Sequence, residues 1–430
     1  MRAEMRPLAE AKRLFVDKRT RAIADLYVWT MEAGLHGAGA AELFDGYCRR
    51  VVEAGASLLR AHVSTQTLHP QWTGYGYTWR RELNAVHEQQ FIRVETPSSA
   101  WLQSPFMHLI ARARAGEPTP SIRRRLALGE EQRDFPALVE FHAEGATDYF
   151  AIVYTFGLRG DPAHGSGVVL SFTCDAAGGF DDEQITLFEA TLPGLALALK
   201  AHSGHDIASS LLRTYLGEDA GRRVHQGAVV RGANDSLSAV VWYADLKGFT
   251  AVSDAWPGPT VIDMLNDAFE ALTAPLRARG GQVLKFIGDA MLATFAVEGE
   301  EEAAVCRRAL DAAEEALASL ALDNERRALA GLPTVEADIA LHLGEVLYGN
   351  VGAADRLDFT VIGPTVNEAA RIERLCDTLG RHILASERFA RAAEGCGGRL
   401  APMGRYALRG VAAAQTIYGL VPQTQTQSCL

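Results

Sequence analysis

One short segment, Leu284–Leu292, constrains the fold of this chain more than any other stretch. Apolar residues flank a central Gly288-Asp289 pair, and a second apolar run, Leu292–Val297, overlaps its end. Two apolar runs joined by a Gly-Asp pair are typical of a β-hairpin with a tight two-residue turn. Such a turn would hold the Asp289 carboxylate at the end of a buried sheet.

A second carboxylate stands in a similar setting. Asp245 ends the apolar run Ser238–Ala244 and is followed by Leu246–Thr250, which contains a glycine. A lone Asp at a strand end is usually a turn residue, so the functional interpretation depends on the pair. Two acids at the ends of neighbouring strands, beside glycines that let phosphate approach, indicate a site for hard divalent cations.

Three segments together resemble the class III adenylate and guanylate cyclases. Val241–Thr250 resembles the family's first metal strand, Lys285–Asp289 its second metal turn, and Thr360–Arg371 its transition-state segment. The resemblance extends from about Ser236 to Leu420. It implies a palm-like domain that cyclises a nucleoside triphosphate and releases pyrophosphate.

The resemblance also implies roles for single residues. Asp245 and Asp289 would bridge two Mg²⁺ (or Mn²⁺) ions, with the backbone carbonyl of Leu246, where the family usually has isoleucine, as a further ligand. Arg409 is a candidate for phosphate binding, although the residues after Gly410 depart from the lysine-containing versions of that segment. The substrate phosphates would lie over four residues at a helix start, where backbone amides favour anions: Lys247, Gly248, Phe249 and Thr250.

Catalysis and base selection are assigned to two further pairs. Asn367 and Arg371 are four residues apart, hence on one helix face, and would orient the ribose and stabilise charge on the α-phosphate. Lys285 can only donate hydrogen bonds and Thr360 can accept one, a pattern that complements adenine. In the family Lys at the first position signals ATP and Glu signals GTP, and Thr at the second is typical of a large bacterial subset. The sequence therefore predicts ATP as the substrate.

The chain of 430 residues is long enough for two domains. The order β-α-β-β-α-β over residues 235–421 predicts an α+β, ferredoxin-like domain with its helices on one face of the sheet. Residues 1–203 resemble a smaller α+β sensor of the GAF kind, whose ligand the sequence does not identify. Residues 204–234 are predicted to be a helical linker, and residues 422–430 a tail.

Several elements are predicted from periodicity. The predicted helices are the segments from Leu8 to about Gly37, Ala40–Ala61, Asp181–His202, Thr260–Arg279, Glu300–Leu329 and Pro364–Leu379. The predicted strands are His62–Leu68, Asp148–Gly157, Val168–Cys174, a pair over Val335–Leu347, and three short closing strands, His382–Ala385, Tyr406–Leu408 and Thr416–Leu420. An apolar stripe from Ile207 to Leu216 indicates a further helix that ends near Gly217. This helix would either pair with its copy in a dimer or pack on its own domain, and both interpretations stay open.

An aromatic segment, His69–Arg81, is interpreted as a loop that either lines a ligand pocket or forms core beneath a sheet, with core favoured. Four isolated side chains could ligate haem or anchor a chromophore, although isolated His and Cys are usually structural: Cys48, His62, His142 and Cys174.

Composition excludes several functions. The net charge of −11 argues against a nucleic-acid surface. No apolar run approaches the roughly 20 residues of a membrane helix, and the N-terminus lacks the apolar stretch of a signal peptide. Six cysteines without a metal-ligand pattern, Cys396 and Cys429 among them, indicate a reducing compartment. We therefore predict a cytoplasmic protein.

In this family the metal carboxylates and the base- and transition-state-binding residues come from opposite subunits, so the resemblance implies a homodimer with two sites at the interface. The leading hypothesis is an adenylate cyclase regulated by its N-terminal half. The alternatives are a guanylate cyclase and a binding or scaffold protein that keeps the fold without chemistry. A cyclic-di-nucleotide synthase is disfavoured because no Gly-Gly-Asp/Glu-Glu-Phe turn is present.

Overall fold

A computed structural model describes residues 18–83, 85–156, 167–393, 398–411 and 413–421. The chain divides into two compact units, Met1–Leu211 and Leu212–Leu430. Several predicted features lie outside the described residues: the helix before residue 18, the end of the strand predicted to reach Gly157, Cys396, Cys429 and the tail 422–430. Among the described helices, none is long and apolar enough to span a membrane.

The first unit is built on an antiparallel sheet of six strands in the order β3-β2-β1-β6-β5-β4. The strands are β1 (Leu58–Gln66), β2 (Trp72–Arg80), β3 (Ala85–Ile92), β4 (Ser121–Arg124), β5 (Asp148–Thr155) and β6 (Gly167–Cys174). The helices are α1 (Lys18–Leu35), α2 (Ala40–Glu53), α3 (Ser99–Leu102), α4 (Pro105–Arg114), α5 (Pro136–Ala143) and α6 (Asp182–Leu216), with short 3-10 turns at Leu126–Leu128 and Glu130–Gln132.

Both faces of this sheet are covered. In β5, Phe150 and Ile152 join the apolar cluster that contains α2 and α6 residues, whereas Ala151 and Val153 join a cluster with residues of α4 and α5. A strand that is buried on both faces reads as a continuous apolar run, because neither set of alternating side chains faces water.

The interpretation of His69–Arg81 as a loop is wrong, because most of it forms β2. Its two glycines, Gly74 and Gly76, allow close packing between strands. A Cβ at Gly74 would lie 2.3 Å from the Thr65 carbonyl oxygen, and one at Gly76 would lie 2.7 Å from the Phe91 ring. Glycine in a strand often marks such an approach.

The two helical segments predicted at Asp181–His202 and Ile207–Leu216 are one continuous helix, α6. The predicted end near Gly217 is confirmed: Gly217 has φ +86°, in the region that glycine adopts without steric penalty.

The second unit contains the predicted ferredoxin-like order. Its strands are β7 (Asn234–Lys247), β8 (Gln282–Ile287), β9 (Ala290–Ala296), β10 (Glu336–Gly352), β11 (Leu357–Ile362), β12 (Ile383–Ser386), β13 (Leu400–Tyr406) and β14 (Gln415–Leu420). Its helices are α7 (Glu218–His225), α8 (Phe249–Ala255), α9 (Gly258–Ala278), α10 (Glu302–Leu329), α11 (Pro364–Glu373), α12 (Cys376–Leu379) and α13 (Glu387–Ala392). The sheet order is β13-β14-β12-β10-β7-β9-β8, with β11 paired to β10. Its central part, β10-β7-β9-β8, is antiparallel throughout, as the β-α-β-β-α-β connection requires.

Two details of the predicted domain are wrong. Helices cover both faces of the sheet: Trp242 packs with residues of α9 and α10, and Val241 packs with Ala369 of α11. The strand pair predicted over Val335–Leu347 is one 17-residue strand, β10. Gly344 within this strand lets α11 approach, since a Cβ there would lie 2.6 Å from Thr365 Cγ2.

Candidate active site

The two predicted metal ligands lie side by side at one end of the central strands. In the β7–β9 ladder Asp245 is directly opposite Ala290, the residue after Asp289. The backbone N–H of Leu246 donates to the Asp289 carbonyl at 3.2 Å. The predicted β8–β9 hairpin is confirmed, and Gly288 takes φ +66° in its turn. The fold therefore brings the two aspartates together.

Negative charge accumulates around this pair. Burial raises the pKa of the Asp245 carboxyl, and the neighbouring charge of Asp289 raises it further. Burial also raises the pKa of Glu373 to about 7, with additional contributions from Asp245 and Asp338. Crowded, partly desolvated carboxylates are stabilised when a cation shares their oxygens.

The donor atoms fit Mg²⁺ or Mn²⁺. Both ions prefer oxygen ligands, and Mg²⁺ is usually bound by one or two carboxylates together with water and substrate phosphates. Asp245, Asp289 and the Leu246 carbonyl supply such a set. Across the part of the chain that the structure describes, no group of three or more His, Cys, Asp or Glu side chains is arranged to hold a metal ion. Phosphate oxygens and water are the ligands that usually complete the coordination of Mg²⁺ bound in this way.

Asp338 is an acidic neighbour that the sequence analysis missed. It lies directly opposite Asp245 in the β7–β10 ladder, is only 4% exposed, and lies 2.7 Å from Nδ1 of His382 through its Oδ1. In the sequence, Asp338 is a carboxylate between two apolar residues of β10, Ala337 and Ile339.

The segment predicted to bind phosphates spans the end of β7, a one-residue turn at Gly248 and the start of α8. Lys247 is exposed and its ammonium lies 2.5 Å from Oδ1 of Asp377. Gly248 has φ +77°, and α8 starts at the next residue, Phe249, with Thr250 exposed beside it. The backbone amides of this turn are thus close in the chain to Asp245, but Lys247 is already paired.

The two residues predicted to select the base lie on β8 and β11. The ammonium of Lys285 forms an ion pair with Asp358, a partner that the sequence analysis did not identify. Thr360 is 6% exposed, and its Oγ1 has no hydrogen-bond partner among the described residues. Buried hydroxyls are nearly always hydrogen-bonded, so this hydroxyl is a position that water or a ligand can complete.

Asn367 and Arg371 lie on α11, as predicted. This helix starts at Pro364, and Gly363 before it has φ +140°. Asn367 is exposed. The guanidinium of Arg371 approaches the loop that carries Arg409, since a Cβ at Gly410 would lie 3.5 Å from its Nη atoms.

Asn367 and Arg371 make no direct polar contact with the two predicted metal ligands: among the described residues, no hydrogen bond or ion pair joins either of them to Asp245 or Asp289. Burial raises the pKa of Asp245, and the cation of Arg374, three residues after Arg371, partly offsets that rise.

The aromatic segment of the first unit forms mainly core. Tyr77 and Trp79 belong to its main apolar cluster. A cavity beside Tyr75 and Tyr77 has a volume of only about 10 Å³, far below the range of roughly 300–1,000 Å³ typical of ligand pockets.

The four His and Cys candidates in this unit have structural environments. Burial lowers the pKa of His62 to about 3, and its Nδ1 lies 2.8 Å from the Thr78 hydroxyl. Cys48 and Cys174 are buried in the apolar cluster, and Nδ1 of His142 lies 3.2 Å from the Ala146 carbonyl. These contacts agree with the structural interpretation that the sequence favoured.

Comparison with known proteins gives a consistent result for the second unit. A family model described as the adenylate and guanylate cyclase catalytic domain matches residues 233–421. An adenylate cyclase of Anabaena cylindrica is 35% identical over 166 residues, which are 37% of this chain and 32% of that protein. Adenylate cyclase 1 of Rhizobium meliloti is 31% identical over 147 residues, 34% of this chain and 22% of the relative.

A solved structure, the adenylyl cyclase CyaB from P. aeruginosa, covers 45% of this chain and 98% of its own, with 22% identity and a TM-score of 0.41. The match to the two curated relatives spans about a third or less of their own length.

Proposed function

We propose that residues 233–421, which belong to the family of adenylate and guanylate cyclase catalytic domains, convert ATP to 3′,5′-cyclic AMP and pyrophosphate. The observation that carries this proposal is the convergence of Asp245 and Asp289 at one end of the central sheet. In-line attack of the ribose 3′-hydroxyl on the α-phosphorus needs an acidified hydroxyl and a neutralised triphosphate. Paired carboxylates that hold two divalent ions suit that requirement.

In this proposal Asp245, Asp289 and the Leu246 carbonyl hold two Mg²⁺ or Mn²⁺ ions. When bound, such ions lower the pKa of a coordinated hydroxyl and neutralise phosphate charge. The protein contributes closely spaced carboxylates to this site. Burial and the charge of Asp289 raise the pKa of Asp245, and a bound cation would relieve that repulsion. Asp338 and Glu373 add negative charge around that pair.

The triphosphate is assigned to the turn after β7. Backbone amides of Gly248, Phe249 and Thr250 bind its oxygens, and Lys247 joins them by exchanging its ion pair with Asp377 for a phosphate. Arg409, exposed in the loop beside Gly410, is a further phosphate ligand in this proposal.

Asn367 and Arg371 act on the reacting centre. The Asn367 amide orients the ribose, and the Arg371 guanidinium stabilises charge that develops on the α-phosphate. The loop at Gly410 lies close to the Arg371 guanidinium and helps to hold it in position. A cation that is held in place before the reaction needs no reorganisation during it.

Base selection is assigned to Lys285 and Thr360. Adenine presents an acceptor at N1 and a donor at its amino group, which complement the Lys285 ammonium and the Thr360 hydroxyl. The unpaired buried Oγ1 of Thr360 supports this assignment. Guanine presents the opposite pattern and would leave these groups unpaired, so discrimination against GTP should be strong.

We further propose that two chains form a two-fold homodimer in which each site takes its aspartates from one subunit and its base- and transition-state-binding residues from the other. Exposed apolar surface on the β10–β11 ladder supports this arrangement: Leu347 and Ile362 are directly opposite each other and each is 41% exposed. We also propose that the first unit regulates the cyclase in response to a ligand.

The test is a cyclase assay on the full chain with Mg²⁺ or Mn²⁺, using ATP and GTP side by side. The proposal predicts cyclic AMP from ATP, much less product from GTP, and none from an Asp245→Asn variant that keeps its fold. Comparable or preferred use of GTP would instead identify a guanylate cyclase. Absence of any cyclic nucleotide from folded, dimeric protein would indicate a silent binding domain.

A further inference from the structure

We propose that Asp358 is a positioning residue for base selection, which fixes the Lys285 ammonium where it meets the purine. This inference rests on the proposed assignment of Lys285 and Thr360 to the base. It adds a specificity-determining residue that lies outside the motif positions considered in the sequence analysis.

The ion pair between Lys285 and Asp358 connects two strands that are not paired with each other in the sheet. Lys285 lies on β8, which pairs with β9, and Asp358 lies on β11, which pairs with β10. The side chains of Lys285 and Asp358 are 33% and 53% exposed, so both are accessible to a ligand. The contact therefore fixes a flexible lysine against a strand that the sheet ladder does not bring to it.

The anchor and the second base-reading group share one strand. Asp358 and Thr360 are two residues apart on β11 and hence point to the same side of it. Thr360 is 6% exposed, and its hydroxyl has no hydrogen-bond partner among the described residues. A tethered cation beside an unpaired buried hydroxyl forms the donor and acceptor pattern that the edge of adenine completes.

The ammonium can serve both partners at once. It carries three N–H donors, so one can remain on Asp358 while another meets adenine N1. Guanine places an N–H donor at that position. A fixed ammonium would oppose this donor, whereas a lysine released from Asp358 could turn its long side chain to solvent and relieve the conflict.

The competing interpretation is an ordinary surface ion pair that affects neither binding nor specificity. Ion pairs with this degree of exposure contribute little to stability. A stability measurement therefore cannot distinguish the two interpretations, so the experiment must measure how well the protein recognises the base of the nucleotide.

The test compares Asp358→Asn, which keeps the side-chain shape and removes its charge, with wild type. We expect the KM for ATP to rise about fivefold, near the upper range for a partly exposed ion pair, with kcat changed less than about twofold. The preference for ATP over 1-deaza-ATP, which lacks the N1 acceptor, should shrink by a similar factor. Asp358→Glu should restore part of both effects. Asp355→Asn is the matched control, because Asp355 is exposed in the bend before β11, and it should change neither.

An unchanged KM and an unchanged preference for ATP over 1-deaza-ATP in Asp358→Asn would overturn the inference, as would an equal effect of Asp355→Asn. Equilibrium binding of α,β-methylene-ATP to the same variants gives a readout without turnover. If wild type forms no cyclic AMP, the proposed function fails. Weaker binding of this analogue by Asp358→Asn alone would then still support the inference, and equal binding by all variants would refute it.

Discussion

Replacing Thr360 by valine should stabilise the free protein against unfolding and raise the KM for ATP. The Thr360 hydroxyl is buried without a partner among the described residues, and an unsatisfied buried polar group costs about 1–3 kcal/mol. Valine has the same shape without the hydroxyl. We expect the free energy of unfolding to rise by about 1 kcal/mol, or Tm by about 2–4 °C for a domain of this size. Loss of a hydrogen bond to the adenine amino group should raise the KM for ATP about fivefold.

Thr365 offers a matched control for the same substitution. It is 7% exposed, close to Thr360 at 6%, but its Oγ1 donates to the Glu345 carbonyl at 2.5 Å. Thr365→Val should therefore lower the free energy of unfolding by about 1 kcal/mol. Thermal denaturation and steady-state kinetics of both variants check the pair. If Thr360→Val were destabilised as much as Thr365→Val, the Thr360 hydroxyl would have a partner in the free protein and the reasoning would fail.

Three further predictions concern the charge cluster and the first unit. Asp289→Asn should lower kcat/KM for ATP by at least about a hundredfold, since a metal ligand is lost, while Tm is kept; turnover near the wild-type rate would contradict the two-ion assignment. The raised pKa of Glu373, about 7 against an ordinary 4.5, means that the folded state holds an extra proton between these values, so stability should fall as pH rises through them. Glu373→Gln should remove that slope in urea titrations at about pH 5 and about pH 8, and an identical slope would disprove the cause given. Deleting residues 1–203 should change kcat or its response to conditions if α6 couples the units, whereas identical kinetics would leave the first unit without a regulatory role.

The central sheet of the second unit was predictable because its signals are local. The β8–β9 hairpin follows from a Gly-Asp pair between apolar runs, and β7 follows from its apolar residues before Asp245. The order of these elements then determines the ferredoxin-like sheet.

The errors arose where a residue's role depends on distant neighbours. Most of His69–Arg81 is a strand and not the predicted loop, and its Gly74 and Gly76 allow close packing between strands. The strand pair predicted over Val335–Leu347 is a single strand, in which Gly344 accommodates α11. In each case the same residue type signals a turn locally and a close approach in the folded chain.

The candidate site was only partly predictable for the same reason. Motifs identified Asp245 and Asp289, but Asp338 and Asp358 act through partners on other strands. Asp338 is placed opposite Asp245 by the β7–β10 register, and Asp358 reaches Lys285 from 73 residues further along the chain. Neither of these two contacts can be inferred from the spacing of the residues along the sequence.

If two chains build each catalytic site together, as proposed, mixing two inactive variants should restore activity. Asp245→Ala and Arg371→Ala should each be inactive as homodimers. In a mixed dimer one site receives both substitutions, and the other receives the intact Asp245 of one chain and the intact Arg371 of its partner. Random pairing makes half of the dimers mixed, and half of their sites are intact.

Co-expressed variants should therefore recover about one quarter of the wild-type rate of cyclic AMP formation. No recovery, with mixed dimers demonstrated by differently tagged chains, would mean that the residues act within one chain or not at all.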